Sequence, residues 1–300
     1  QHFTLKTSDL TLFLGMHILI DKNHNIWLNQ YKYIKTILQR FNMENCRSIT
    51  TPADSSIYQI EPAQGPPYTE RPYRSLIGAL MYLCISTRPD IAFITGFLAR
   101  FLENYTEEHW NAGLRILRYL QNTANLSIVY RSDSGTSLED SLCFHCDSDY
   151  AADQITRKSV SGSIALLSGG PILWSSAQQR SVSLSTTESV FYAITDCAKS
   201  ALWIRTLFNE LRISIKPVIC VDNQGALKLI SNPEHHKRVK HIAVRYLFVR
   251  ETAERDQIKY IYIETSRNIS DTLTKPLNRP LFEKHRDKIL KSWPVKQSYS

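Results

Sequence analysis

The strict alternation of Leu10, Leu12, Leu14, Met16, Ile18 and Ile20 predicts one half-buried β-strand, since alternate side chains of a strand share a face. Polar residues from Asp21 to Asn25 predict a turn into a second strand at Ile26-Trp27-Leu28. The period then changes, and Tyr31, Ile34, Ile37, Leu38 and Phe41 fall at helical spacing. Four prolines between Thr51 and Pro67, with little periodicity, predict a loop. Residues 72–122 read as helices broken at Arg88-Pro89 and around Asn104–Thr106. A residue preceding proline is pushed away from helical backbone, which places the first break.

Residues 131–140 hold almost nothing to bury and read as a linker. They divide the chain into a front half, 1–130, a second domain, 141–290, and a tail, 291–300. The second domain should open with a strand to about Cys146, a strand over Ser163–Leu167, a Gly169-Gly170-Pro171 turn and a third strand through Trp174. A helix over Glu188–Leu211 carries Phe191, Ile194, Ala198, Ala201 and Leu202 on its apolar stripe. A Val218–Val221 strand, helices from Gln224 and Ile242, an Ile258–Ile263 strand and a terminal helix complete the pattern. Hairpin-connected strands followed by helix–strand alternation predict an α/β layered domain on a mixed five-stranded sheet.

Composition adds limits. At 43% hydrophobic and 21% charged, the 300 residues are ordinary globular material with room for about two domains. Thirty-six basic against 28 acidic residues give a net charge of +8. Such an excess favours a polyanionic partner through attraction to phosphates, although a solvated basic surface gives the same balance. No apolar run reaches membrane-spanning length and no leader pattern precedes the first strand, so a soluble, cytoplasmic protein without a membrane partner is expected. The six cysteines are scattered rather than arranged as a disulfide framework. Cys143-x-x-Cys146, completed by His235, His236 or His241, makes a poor zinc set. Residues three apart on a strand face opposite ways, and about ninety residues separate the two groups.

The chemistry of the chain rests on four acids, Asp147, Glu188, Asp222 and Asp271, each at the edge of a different predicted element. Brought together, four carboxylates suit two Mg²⁺ ions, or Mn²⁺ in their place. Each acid alone also has a plain structural reading. Ser185-x-x-Glu188 is a capping box, Asp222 and Asp271 can cap helices, and Asp147 or Asp149 can be an exposed strand residue.

The wording around the acids resembles the ribonuclease H domain of Ty1/copia-type retrotransposon Pol polyproteins. The matching phrases are Asp147-Ser148-Asp149-Tyr150-Ala151, Arg157-Lys158-Ser159-Val160-Ser161-Gly162, Ile172-Leu173-Trp174-Ser175-Ser176 and Ser185-Thr186-Thr187-Glu188. Val221-Asp222-Asn223-Gln224-Gly225-Ala226, Val239-Lys240-His241-Ile242 and Asp271-Thr272-Leu273-Thr274-Lys275-Pro276 follow in the family's order. The resemblance implies a ribonuclease H-like fold and a metal-dependent endonuclease that cuts the RNA strand of an RNA–DNA hybrid. Asp147, Glu188, Asp222 and Asp271 would be its catalytic and metal-binding acids, with Asp149 the lesser member of its pair.

Phe13-Leu14-Gly15-Met16, Arg74 to Leu83, Thr87-Arg88-Pro89-Asp90-Ile91-Ala92 and His109-Trp110-Asn111-Ala112 resemble the end of the reverse transcriptase in the same polyproteins. The front half is therefore expected to be a β-hairpin and helices from that region. No Tyr-x-Asp-Asp motif occurs, which predicts a fragment unable to polymerise DNA by itself. Its expected partners are an RNA–DNA hybrid and the remainder of the polyprotein, the reverse transcriptase palm and the integrase. The expected setting is a cytoplasmic virus-like particle, with the nucleus as the other compartment. Arg157, Lys158, Ser175, Ser176, Gln178, Asn223, Lys237, Arg238 and Lys240 are the candidate nucleic-acid contacts. The stretch Glu264-Thr265-Ser266-Arg267 holds no histidine to assist the last acid. A non-catalytic, nucleic-acid-binding remnant of such an element is the alternative.

Overall fold

The computed structural model describes residues 10–65, 70–133, 142–153, 155–231 and 243–294. The alternating run from Leu10 is not one strand. β1 (Leu12–Phe13) and β2 (Met16–Ile20) are joined by a tight turn in which Leu14 and Gly15 have φ of 47° and 71°. Left-handed turn residues match the twist of an antiparallel pair. A two-residue turn also preserves odd–even parity, so alternation continues through it. Burial is uneven along the run: Met16 and Ile18 are half-buried, whereas Leu10, Leu12, Phe13, Leu14 and Ile20 are each more than half exposed.

β2 pairs antiparallel with β3 (Ile26–Asn29), across a turn held by Asp21, whose carboxylate accepts from Asn23, Asn25 and the Trp27 indole. α1 (Tyr31–Arg40) buries Ile34, Ile37 and Leu38. α2 (Tyr73–Ser86), a 3₁₀ turn at Pro89–Ile91, α3 (Ala92–Ala99) and α4 (Glu107–Thr123) follow, and β4 (Leu126–Tyr130) joins β3.

The second sheet is built from β5 (Cys143–Ser148), β6 (Val160–Leu167) and β7 (Gly170–Gln178). Next come α5 (Thr186–Glu210), β8 (Val218–Val221), α6 (Gln224–Ser231), α7 (Ala243–Glu254) and β9 (Lys259–Tyr262). Its order is β7-β6-β5-β8-β9, with the first three strands antiparallel and β8 and β9 parallel to β5. This is the mixed five-stranded sheet expected from the pattern, in the α/β setting that the resemblance implied. Phe144 and Cys146 of β5 and Ile219 and Val221 of β8 pack with Phe191, Ile194, Ala198 and Ala201 of α5. Leu202 is half-buried at the margin of that stripe. The opposite pleat of β5 carries Cys143, His145 and Asp147.

Short 3₁₀ helices at Thr265–Arg267 and Ile269–Leu273 lead to α8 (Arg279–Ile289) and β10 (Lys291–Ser292). β10 pairs with β4, so residues placed in the tail by sequence add a strand to the first sheet. The larger apolar core joins residues of α1–α4 to Val160, Ile164, Ile269, Leu273, Phe282 and Ile289. No helix among the described residues is long and apolar enough to cross a membrane.

Candidate active site

β5 and β8 are parallel neighbours, so their C-terminal ends lie side by side, where ligands bind on open α/β sheets. Asp147 lies near the end of β5 and Asp222 directly follows β8, while Asp271 comes from the 3₁₀ helix at Ile269–Leu273. One carboxylate oxygen from each lies within 4.8 Å of the other two. Asn268 pins the 3₁₀ helix to the sheet. Its Nδ2 donates to the Cys146 carbonyl (3.0 Å) and its Oδ1 accepts from the Ser270 hydroxyl (2.6 Å). Gly162, opposite Asp147 on β6, permits the close approach: a Cβ there would stand 2.7 Å from Thr274 Cγ2 and 2.9 Å from Leu273 Cβ.

Asp147 and Asp271 are buried. Burial, and then the Asp147 charge, pushes Asp271 up to about 7, and the same two causes raise Asp222. Lys275 Nζ sits 3.5 Å from Asp147 Oδ2 and 3.4 Å from Asp271 Oδ1. Burial alone would pull its ammonium down, but the charges of Asp147 and Asp271 outweigh that, and the net shift is upward. The Thr274 hydroxyl donates to Asp147 Oδ2 at 2.6 Å, whereas Asp271 Oδ1 accepts no hydrogen bond among the described residues. Among the described residues, the Lys275 ammonium pairs with two of the three carboxylates, and that shortfall of positive charge fits hard cations. Lys275 is the participant that sequence reasoning missed; its i,i+4 spacing from Asp271 was the available signal.

Glu188 is not among the three. It is buried, its Oε2 accepts the Leu184 N–H at 2.6 Å, and its own N–H donates to Ser185 Oγ at 3.2 Å, which is helix capping. Asp149 Oδ1 accepts the Val160 N–H, and burial raises its carboxyl to about 6. Asp222 does not cap α6. Asn223 does, accepting the Ala226 N–H at 2.8 Å, so this side chain is engaged in the fold.

Of the other candidate contacts, Arg157 is exposed and Lys158 half-buried on the loop after β5. Ser175, Ser176 and Gln178 lie within β7 rather than after a strand. Ser175 and Ser176 line a cavity of about 300 Å³ with Met81, Ile85 and Trp174. Trp174 Nε1 donates to the Cys84 carbonyl at 2.6 Å, a packing anchor between the halves. Gln178 donates to Asp153 Oδ2 and Thr156 Oγ1, both at 2.9 Å, and so secures the loop. Lys237, Arg238 and Lys240 lie outside the described residues, as do His235, His236 and His241.

These carboxyl shifts have a sign that can be checked. Folded Asp271 holds its proton to about 7 and Asp149 to about 6, well above an unfolded aspartate, so the native state binds more protons in that window. Stability without divalent ions should therefore fall as pH rises from about 4 to about 7. Asp21, held down at about 2 chiefly by the Trp27 hydrogen bond, acts in the opposite sense. The clean measurement is the difference in unfolding free energy, from denaturant unfolding, between wild type and Asp271→Asn. It should change across the window at about 1.4 kcal/mol per unit of pKa shift and flatten when Mg²⁺ is added. A pH-independent difference would remove Asp271 as a proton-binding group.

The strand order and the aspartates gathered at one sheet edge define a ribonuclease H-like α/β protein. No family model matches the chain. It is 38% identical over 288 residues to the retrovirus-related Pol polyprotein from transposon TNT 1-94 of Nicotiana tabacum, covering 90% of this chain and 21% of that one. It is 36% identical over 293 residues to the counterpart from transposon RE1 of Arabidopsis thaliana, covering 96% and 20%. Among solved structures it is similar to the N-terminal RNase H domain of a Mycobacterium tuberculosis protein, at 10% identity and a TM-score of 0.35 over 48% of this chain and 94% of that one. Over about nine tenths of its length the chain is homologous to retrovirus-related, copia-type Pol polyproteins of plant transposons, and it spans about a fifth of the length of these curated relatives.

Proposed function

We propose that this chain is the ribonuclease H part of a Pol polyprotein and cuts the RNA strand of RNA–DNA hybrids. The observation that carries this reading is the trio of aspartate oxygens within 4.8 Å of one another, compensated by the Lys275 ammonium. Hard oxygen donors gathered this closely fit a pair of Mg²⁺ ions, with Mn²⁺ able to substitute. Asp147, Asp222 and Asp271 would hold them, and Glu188 would join on releasing the Leu184 N–H. When bound, such a pair activates water and stabilises the leaving oxygen. Thr274 and Asn268 keep the donors oriented, while Lys275 would turn from the carboxylates to a substrate phosphate once cations neutralise them.

Arg157, Lys158, Ser175 and Ser176, with Lys237, Arg238 and Lys240, are proposed to meet phosphate and 2′-hydroxyl groups of the hybrid. Residues 1–130 would serve as the end of the reverse transcriptase, 131–140 as a linker and 141–290 as the nuclease, within a polyprotein that also holds the palm and integrase. A cytoplasmic virus-like particle is the setting this implies. Glu188's engagement in capping favours the second reading, a binding remnant that retains hybrid without cutting it. Purified chain with end-labelled hybrid decides between them: cleavage is expected in Mg²⁺ and abolished by EDTA. Intact hybrid in both Mg²⁺ and Mn²⁺ would leave the remnant.

A further inference from the structure

On the same pleat of β5 as Asp147, the next two positions back along the strand carry a different set of ligands. Cys143 and His145 lie two residues apart, and Cys220 of β8 stands directly opposite His145 in the parallel register. Cys143 Sγ is 3.3 Å from Cys220 Sγ and 3.8 Å from His145 Nε2, and all three ligand atoms lie within 4.8 Å of one another. The His145 ring is 9% exposed and its Nδ1 has no hydrogen-bond partner among the described residues. Cys220 is buried and Cys143 half-buried, which leaves one open side. The carboxylate chemistry proposed above uses none of these groups.

We propose that Cys143, His145 and Cys220 form a second metal site, selective for a borderline or soft cation of the zinc class. Two sulfurs and an imidazole are the donor set such ions take, whereas Mg²⁺ prefers oxygen. The spacing agrees. Zinc bonds of about 2.3 Å to sulfur and about 2.05 Å to nitrogen, at tetrahedral angles, put S···S near about 3.8 Å and S···N near about 3.6 Å. The two pairs that include Cys143 are thus within about 0.5 Å of the required separations before any movement, and the third pair, Cys220 and His145, lies within 4.8 Å. The fourth position falls to solvent on the open side of Cys143. The ion would clamp β5 to β8, the two strands whose ends present Asp147 and Asp222, with its nearest strand ligand, His145, roughly 7 Å along β5 from Asp147 on a rise of about 3.3 Å per residue.

The probe is Co²⁺, added to full-length chain that has been reduced and stripped with a chelator. One equivalent should produce a thiolate-to-cobalt charge-transfer band and the visible bands of a tetrahedral ion, both bleached by Zn²⁺. Cys143→Ser and Cys220→Ser should each remove the charge-transfer band. Each should also weaken zinc by more than about 100-fold, since even groups outside the ligand sphere cost 10–100-fold. Asp222→Asn should leave the band unchanged, which separates this site from the carboxylates. If the serine variants do not fold, alkylation of wild type answers instead: Zn²⁺ should shield Cys143 and Cys220, and not Cys46, from iodoacetamide. No thiolate band, a band that survives both serine changes, or equal alkylation with and without Zn²⁺ would overturn the proposal.

Discussion

Asp222→Asn should lower hybrid cleavage by orders of magnitude while the folded chain remains as stable as wild type or becomes more so. Burial and the neighbouring Asp147 charge raise the proton affinity of Asp222, so its ionised form is a cost to the fold without a cation. Asparagine removes that cost together with the charge needed to hold divalent ions. The helix start is untouched, because the cap of α6 is Asn223. Asn223→Ala should show the reverse pattern, a loss of about 1 kcal/mol from the missing cap with far less effect on cleavage. Glu188→Gln separates the two roles of that residue in the same way. Glutamine still accepts the Leu184 N–H, so a purely capping Glu188 gives a silent change and a ligand gives a large loss. Hybrid cleavage measured beside thermal melts reads both outcomes, and an Asp222→Asn chain of wild-type activity would take Asp222 out of the site.

Arg88→Ala should destabilise the protein by about 3–5 kcal/mol, the range seen when one partner of a buried ion pair is removed. Arg88 is fully buried and grips Asp90 with two bonds, Nε to Oδ1 at 2.9 Å and Nη2 to Oδ2 at 2.7 Å. It also donates to the Thr123 carbonyl and hydroxyl, at 3.0 and 2.8 Å, and Tyr119 donates to Asp90 Oδ2 at 2.6 Å. Alanine would strand the Asp90 carboxylate in the core. The Pro89–Ile91 turn packs against the 3₁₀ helix bearing Asp271, so activity should be lost with the fold. Denaturant unfolding is the measurement. Arg88→Ala/Asp90→Ala should be less destabilised than Arg88→Ala alone, because it leaves no unpaired charge. A loss below 1 kcal/mol for Arg88→Ala would show that Asp90 has another counter-charge.

The sequence by itself determined the elements of the second sheet and the three aspartates that the fold gathers at its edge. Strand periods, the Gly169-Gly170 turn and the Ser185 cap are local properties, and each was legible from neighbours in the chain. Local patterns failed where parity or a second cap was at stake. The turn at Leu14-Gly15 keeps the alternation intact, and of the adjacent Asp222 and Asn223 either could cap α6. Contacts across long separations were decided by tertiary structure alone. Parallel pairing of β5 with β8 brings Cys143 to Cys220 and Asp147 to Asp222, and the 3₁₀ helix then delivers Asp271 and Lys275 to the same edge. Glu188 was legible as an acid at a helix start, but whether its carboxylate faces the three aspartates or the Leu184 N–H depends on packing around that start. Strand register and side-chain direction are set by the whole core, and the charge balance of a site depends on which groups that core places within reach.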